Sequence, residues 1–530
     1  MHDVVVVGSG AGGGTIAAAL ARGGMRVLVL EKGPWYSERD FLHDEIAIVR
    51  RDFFVPSPSD EPHVLDGKRT DFGWIACCVG GGTVHMAGHY YRLHPDDFRM
   101  ASKFGRRYEL ADWPFAYADL EPYYTRAEWE SGVSGLAGSH PFEGPRSKPY
   151  PLPPIRTHPI GTWIDDAGRR LGLHPFPEAR AILSQPYRGR SACVYCDFCG
   201  SYGCEVGAKS STHAALLPSA VASGRCEIRP RAMVREVEVT PDGRARGCLY
   251  VDEDGRTHRV EGKVVILACS AIETARLLLL SRSKRFPQGL ANGNGLVGRH
   301  LQFSAFSRGE GVFAPDRPEW KARDPFLGRS IADYYFLPEG VGEIPKGGTL
   351  RFGFPHANPV YTALRLAHER TPLRWGRALQ ERMKEYWIRT RTIEFEVFAD
   401  FLPNRETFVE LDPEVKDRWG LPAARIHLST PPHHEKAGKY LVEKGLEVLK
   451  AAGALEARAT VVGGVTGHLV HGTCRTGTDP ATSVLDPECR AHEVPNLYVV
   501  DGSFLPTSGG VPTTLTIMAN ALRVAERILP

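Results

Sequence analysis

Two stretches of the chain carry residues whose types and spacing can do chemistry. The first is Gly8-Ser9-Gly10-Ala11-Gly12-Gly13, a glycine-rich turn of the kind that cradles the pyrophosphate of a dinucleotide. Gly8 would permit the tight turn, Gly10 would let backbone approach the pyrophosphate, and Gly13 would let a helix pack closely on a strand. A helix opening at Ala11 offers free N–H groups and positive potential to phosphate. The second stretch holds four thiols within twelve residues, Cys193, Cys196, Cys199 and Cys204. Such spacing lets several thiolates converge on one centre, as in iron–sulfur or zinc sites. Structural or disulfide-forming cysteines are the alternatives that spacing alone leaves open. Tyr195, Phe198, Gly200, Tyr202 and Gly203 would give the cluster a low-dielectric shell.

Elements must hold these residues in place. Val4 to Val7 reads as a buried parallel strand, Thr15 to Arg22 as a small-residue helix, and Val27 to Leu30 as a second strand ending on Glu31. Strand, glycine turn, helix, strand and acid make a complete βαβ unit, with Glu31 placed for a ribose diol. The fingerprint alone does not separate FAD from NAD. Val264 to Cys269 reads as another buried strand and Glu273 to Ser281 as its helix. Leu497 to Asp501 returns to the same texture before a helix from about Pro512 to Leu529, with proline suited to a first turn. That helix N-terminus, aimed at an isoalloxazine, would stabilise negative charge on the reduced ring.

Between about 300 and 460 the texture differs. Ile393-Glu394-Phe395-Glu396-Val397 alternates like a half-exposed antiparallel strand, and His433 to Ala452 reads as an amphipathic helix. The expected fold class is therefore α/β: a discontinuous dinucleotide-binding, Rossmann-like domain, which the resemblance given below makes an FAD-binding one, and a second, mainly antiparallel α+β substrate domain. Residues 1–100, 190–300 and 465–530 fall to the first, and 101–189 and 301–464 to the second.

Composition narrows the classes of function. With 42% apolar and 24% charged residues the 530-residue chain is an ordinary globular protein. A net charge of +3 and no dense basic block argue against nucleic acid or an anionic membrane as partner. No apolar run reaches about 18 residues, so no spanning helix is expected. No basic leader precedes the first strand, which points to the cytoplasm unless a signal-bearing partner exports the chain. Eleven cysteines are too sparse for a disulfide scaffold.

Further landmarks carry a resemblance. Val79-Gly80-Gly81-Gly82-Thr83-Val84-His85, Asp112-Trp113-Pro114, Asp119 to Tyr124, and Leu296-Val297-Gly298-Arg299 occur in order between the two nucleotide-binding termini. Together they resemble the glucose–methanol–choline (GMC) oxidoreductases over essentially the whole chain, closest in texture to bacterial FAD-dependent sugar dehydrogenases and pyranose oxidases. The resemblance implies FAD. It adds Gly81, Gly82, Thr83, His85, Val234, Asp501, Gly502 and Thr513 to Gly8, Gly10, Ala11, Gly13 and Glu31 as cofactor contacts. Some relatives attach the flavin through a histidine near His85; the alternative is a packing or hydrogen-bonding histidine.

The resemblance also implies oxidation of an alcohol, with hydride passing to flavin N5 and the hydroxyl proton to a histidine base. Resembling enzymes place that histidine just before a Gly-Thr pair, with a second His or Asn ahead of the last helix. In this chain the register puts Leu469 and Pro512 at those places. His468 and His471 flank the first, and Thr513 and Thr514 follow the second. His471, adjacent to Gly472-Thr473, is the first choice of base and His468 the second, with Thr513 and Thr514 replacing the missing side-chain hydrogen bond. Some resembling glucose dehydrogenases carry a three-iron cluster near the position of the four cysteines, with different spacing. The expected substrate is a sugar or glycoside, with electrons passed to a small subunit or cytochrome. Rivals are a lipophilic-alcohol or sterol oxidase, marked by a greasy pocket, a flavin protein without catalysis, and an electron-transfer subunit.

Overall fold

The computed structural model describes residues 2–48, 53–72, 74–356, 358–465, 467 and 469–530. Strand β1 (His2–Val7), helix α1 (Ala11–Arg22) and strand β2 (Val27–Leu30) form the expected opening unit. Val4 to Val6 and the whole of β2 are buried, because helices cover both faces of a parallel sheet and leave no polar side to alternate. β1 lies between β2 and the C-terminal half of the strand Thr257–Leu267, parallel to both. Cys226–Arg229 adds to β2, and Leu497–Val499 adds to the other edge, both in parallel.

The strand Thr257–Leu267 serves two sheets at once. Its first half pairs antiparallel with Ala245–Val251, which pairs with Met233–Val239, and its second half runs into the parallel sheet. One continuous strand thus locks a three-stranded meander onto the nucleotide fold.

The region after residue 300 is antiparallel, as its alternation indicated. Six strands lie in the spatial order 456–465, 304–313, 391–400, 348–353, 329–331, 176–177. Ile393, Phe395 and Val397 are fully buried beneath the helix Pro432–Ala451. A Cβ on Gly445 of that helix would meet the Phe395 ring at 2.4 Å, so glycine there lets the helix settle on the sheet. The opposite face of these strands carries Glu394 and Glu396. A smaller four-stranded sheet joins 408–416 and 422–427 to 63–65 and 68–70.

Both chain ends close the assembly. Helix Thr514–Ile528 packs on α1 and on the helix Tyr117–Ser131. Trp113, of the Asp-Trp-Pro landmark, is buried and donates from Nε1 to Thr507 Oγ1 at 3.0 Å, tying that landmark to the loop before the last helix. No helix among the described residues is long and apolar enough to cross a membrane.

Candidate active site

A cavity of about 820 Å³ runs between the parallel sheet and the antiparallel one. Its size suits a large ligand held mostly out of water. On the nucleotide side the lining is largely backbone. Gly8 takes φ +93°, and a Cβ there would sit 2.3 Å from the Ala268 carbonyl oxygen. A Cβ on Gly13 would sit 2.0 Å from the carbonyl oxygen of Gly8, so this glycine is behind the wall, closing helix onto turn. Gly10 differs: nothing lies nearer its missing Cβ than Gly81 Cα at 3.9 Å, and both residues line the cavity. The space a side chain would fill is the space a pyrophosphate needs.

Glu31 lines the cavity at the end of β2 and is buried. Its carboxylate accepts from Ser9 N–H (3.0 Å), Ser9 Oγ (2.6 Å) and Gly33 N–H (3.0 Å). Burial raises its pKa, and these three donors oppose the rise. Val234 lines the same end, where the Ala232 N–H donates to the Glu31 carbonyl at 2.9 Å. Ala11, Gly81, Gly82, His85, Asp501 and Gly502 also reach the cavity. Thr83 does not. Its hydroxyl turns inward to the Gly80 carbonyl at 2.6 Å and accepts from Thr212 N–H at 3.1 Å, bracing the glycine turn from behind. His85 lies nearly parallel to Phe54 at 5.6 Å and edge-on to Trp74 at 5.2 Å, a packed position at the cavity surface. Asp501 accepts from Thr274 Oγ1 at 2.5 Å and Ser270 N–H at 3.1 Å, fixing the last parallel strand to the helix Ala271–Leu280.

These features fit FAD: glycines that leave room at Gly10 and Gly82, a buried acid at the end of β2, and a helix start beside Thr513 and Thr514. When bound, FAD supplies the two-electron acceptor for a carbinol hydrogen.

His471 lies at the other end of the cavity and is fully buried. Its backbone is clamped, donating to and accepting from Gln302 at 2.9 Å in each direction. The next residue must be glycine, since Gly472 takes φ +71° and its Cβ would meet the His300 carbonyl oxygen at 2.0 Å. Gly298, in the Leu-Val-Gly-Arg landmark, donates to the Thr473 carbonyl at 2.8 Å, so two distant landmarks hold one loop. Nδ1 of His471 lies 3.3 Å from Thr513 Oγ1. Nε2 is buried without a hydrogen-bond partner among the described residues. Burial lowers the pKa to about 3, with a backbone contact from Val470 opposing, so the ring is neutral. Leu469 and Pro512, at the family's usual polar positions, both line the cavity, as does Thr514. His468 lies outside the described residues.

The wall facing the glycines was not anticipated residue by residue. Strands 304–313 and 391–400 pair Ser304 with Asp400, Phe306 with Phe398 and Arg308 with Glu396. With a side-chain period of two, Ser304, Phe306, Arg308, Glu396 and Phe398 all line the cavity. Arg308 donates to Glu396 at 2.6 Å, and Arg351 lies 3.6 Å from the same carboxylate. Burial pushes the Glu396 pKa up, but Arg351 and Arg308 bring it down to about 2. His89 and His356 complete the wall. Burial, with Arg180 and Arg351 nearby, holds His89 well below the ordinary histidine value, and burial also lowers His356. The one legible signal was the Glu394/Glu396 alternation, of whose apparent solvent face Glu396 lines the cavity.

The cysteine cluster requires a correction. Among the described residues no group of three or more His, Cys, Asp or Glu is disposed to hold a metal. Cys193, Cys196, Cys199 and Cys204 are all free thiols, and an iron–sulfur cluster is not supported. The backbone between them passes through the left-handed region at Tyr195, Asp197 and Ser201. Cys193 and Cys199 pack against Ile155, Ile182 and Phe326. Burial raises the Cys193 thiol to about 12 and also raises Cys196 and Cys199, so the free thiols are protonated. Lys209 holds the loop instead, its buried ammonium donating to the carbonyls of Met86 (2.9 Å), Cys199 (2.7 Å) and Tyr202 (2.7 Å). Gly200 and Ser201 thereby become part of the cavity wall.

A Rossmann-type turn with room for pyrophosphate, closed by both chain ends and faced by an antiparallel sheet, defines a flavin-dependent alcohol oxidoreductase. Family comparison agrees. The N-terminal GMC oxidoreductase model matches residues 4–304 and the C-terminal one residues 403–521. The chain belongs to the GMC oxidoreductase family, whose members bind FAD and act on the CH–OH group of alcohols. It is similar to the 2-methyl-1,2-propanediol dehydrogenase of Mycolicibacterium austroafricanum, 33% identical over 99% of this chain and 95% of that one. It is 32% identical to paromamine 6'-oxidase of Streptomyces fradiae (99% and 91% covered) and 28% to the fructose dehydrogenase large subunit of Gluconobacter japonicus (99% and 97%). Among solved structures, pyridoxine 4-oxidase from Mesorbium loti shares the fold, with a TM-score of 0.64 at 19% identity and 99% of both chains covered.

Proposed function

We propose that this enzyme oxidises a hydroxyl of a sugar, glycoside or comparable polyol, with His471 as the base. The carrying observation is the wall opposite the glycines. It presents a guanidinium, a carboxylate and two neutral imidazoles, where a sterol or long-chain alcohol would call for apolar side chains. Phe306 and Phe398 offer ring faces between these polar groups, the usual combination for a polyhydroxylated substrate. Likeness to a diol dehydrogenase, an aminoglycoside oxidase and a fructose dehydrogenase supports the same class. The last of these is named as a large subunit, which also supports an accepting partner subunit.

His471 takes the hydroxyl proton. In the tautomer that donates from Nδ1 to Thr513, the lone pair resides on Nε2, the nitrogen without a partner. Thr513 holds the ring, and the Gln302 backbone holds the loop. Arg308 and Glu396 orient hydroxyls away from the reacting carbon. The test is anaerobic reduction of the FAD-loaded enzyme by a panel of sugars, short diols and long-chain alcohols. Bleaching of the flavin band by polyols alone supports the reading, and reduction by long-chain alcohols alone overturns it.

A further inference from the structure

Beside the cavity mouth lies a segment whose surface the oxidation chemistry does not explain. Helix Pro359–His368, helix Gly376–Lys384 and the wider turn Glu385–Arg389 follow one another and pack together. Asn358 and Tyr361, at the start of the first helix, line the cavity. Glu45 accepts from the N–H groups of Val360 and Tyr361 at 2.7 Å each, anchoring the segment to the nucleotide side. Large apolar side chains on it face water: Trp375 is 78% exposed and Ile388 65%, and Leu364, Leu373 and Trp387 are also exposed. Leu42 and Ile46, respectively before and on the short helix Glu45–Ile48 that packs against Pro359–His368, are exposed too.

Charge tells what such a surface fits. Residues 360–391 carry eight Lys or Arg against three Glu, a net +5 in a chain whose total is only +3. Several of these cations are paired, as Arg374 and Arg382 are with Glu369. Arg370 and Arg377 are exposed and form no ion pair among the described residues. They flank the connecting turn that carries Leu373 and Trp375. Lys384 and Arg389, both paired with Glu381, flank Trp387 and Ile388. Apolar points that include tryptophan, each bracketed by cations, match the boundary between acyl chains and anionic headgroups.

We propose that this segment docks the enzyme on an anionic phospholipid surface, with the cavity mouth beside the membrane. The whole-chain charge conceals it, because the cations are gathered on one segment and the remainder is slightly acidic. Binding is peripheral: Leu373 and Trp375 enter the interface while Arg370 and Arg377 meet headgroups.

The test is vesicle flotation of the full-length, FAD-loaded enzyme with phosphatidylglycerol-containing and pure phosphatidylcholine vesicles. Flotation with the anionic vesicles alone, weakened by salt, is expected. Replacing both Arg370 and Arg377 with Gln should lower partitioning about 30-fold, at roughly fivefold per cation. Trp375→Ser should weaken it further, with flavin content and turnover of a soluble alcohol unchanged. No flotation with anionic vesicles overturns the proposal, as does flotation indifferent to these substitutions. A concentration-dependent dimer that Trp375→Ser dissolves, in enzyme that does not float, would instead assign the face to a second copy.

Discussion

The two walls of the cavity are built on opposite plans. The wall from β1, α1 and the chain ends is mostly backbone, packed so closely that a single Cβ collides at Gly8 or Gly13. The wall from the antiparallel sheet is side chain: Arg308 and Glu396 line it, in a network that continues through Arg351 to Glu178 outside the lining. Backbone contacts suit a ligand of constant shape, such as a cofactor. Side-chain contacts can be exchanged one at a time without touching the fold, which suits a substrate that differs among relatives.

The largest expected effect tests the rigidity of the backbone wall. Gly13→Ala puts a methyl 2.0 Å from the Gly8 carbonyl oxygen, an overpacking that costs about 3 kcal/mol or more, and flavin-loaded protein should not be recovered. Gly10→Ala meets only open cavity. It should fold normally, yet bind FAD at least about tenfold more weakly, as read by flavin titration. Equal behaviour of the two variants would end the distinction between packing glycine and ligand glycine.

At the junction of the walls, His471→Ala should slow substrate-driven flavin reduction by about 100-fold or more with FAD still bound. Unchanged stopped-flow kinetics would remove His471 as the base. On the substrate wall, Arg308→Ala or Glu396→Gln should raise KM about tenfold with flavin content intact. If either variant instead loses flavin, the division between a cofactor wall and a substrate wall fails.

A smaller effect concerns pH. His434 is buried, accepts from Leu402 N–H at 3.2 Å and stacks on Phe401 at 4.4 Å. Burial and neighbouring His433 lower its pKa from 6.5 to about 3. The unfolded chain therefore takes up this proton first. The stabilisation is complete above pH 6.5 and drains away as pH falls toward 3. Thermal midpoints should drop across that window, and His434→Gln should flatten the slope; an unaltered slope would assign the acid sensitivity elsewhere. The smallest change is expected from Cys199→Ser. Absorption above the flavin bands and iron content should match the unsubstituted enzyme, and iron lost on substitution would restore the cluster that the loop geometry argues against.

The glycine turn, Glu31 and the parallel strands were legible because their requirements are local. Spacing of a few residues decides whether a turn, a helix start and an acid can meet one phosphate and one ribose. The antiparallel region was legible in type from Ile393 to Val397, but its polar positions read as solvent-facing. In one dimension a charged residue facing water and one facing a cavity look alike. The cysteines misled for a related reason: CxxC spacing permits convergence, yet among the described residues the folded loop forms no group that could hold a metal. The usual histidine register failed at Leu469, and only packing shows His471 against Thr513 with Nε2 unpartnered.

By itself, the sequence determined the cofactor fold and the family, since these rest on short-range spacing and on landmarks in a set order. Only the tertiary structure decided which charged groups face the cavity and that the cysteines form no metal-holding group among the described residues. Those outcomes depend on strand register and loop path, which bring together or separate residues far apart in the chain.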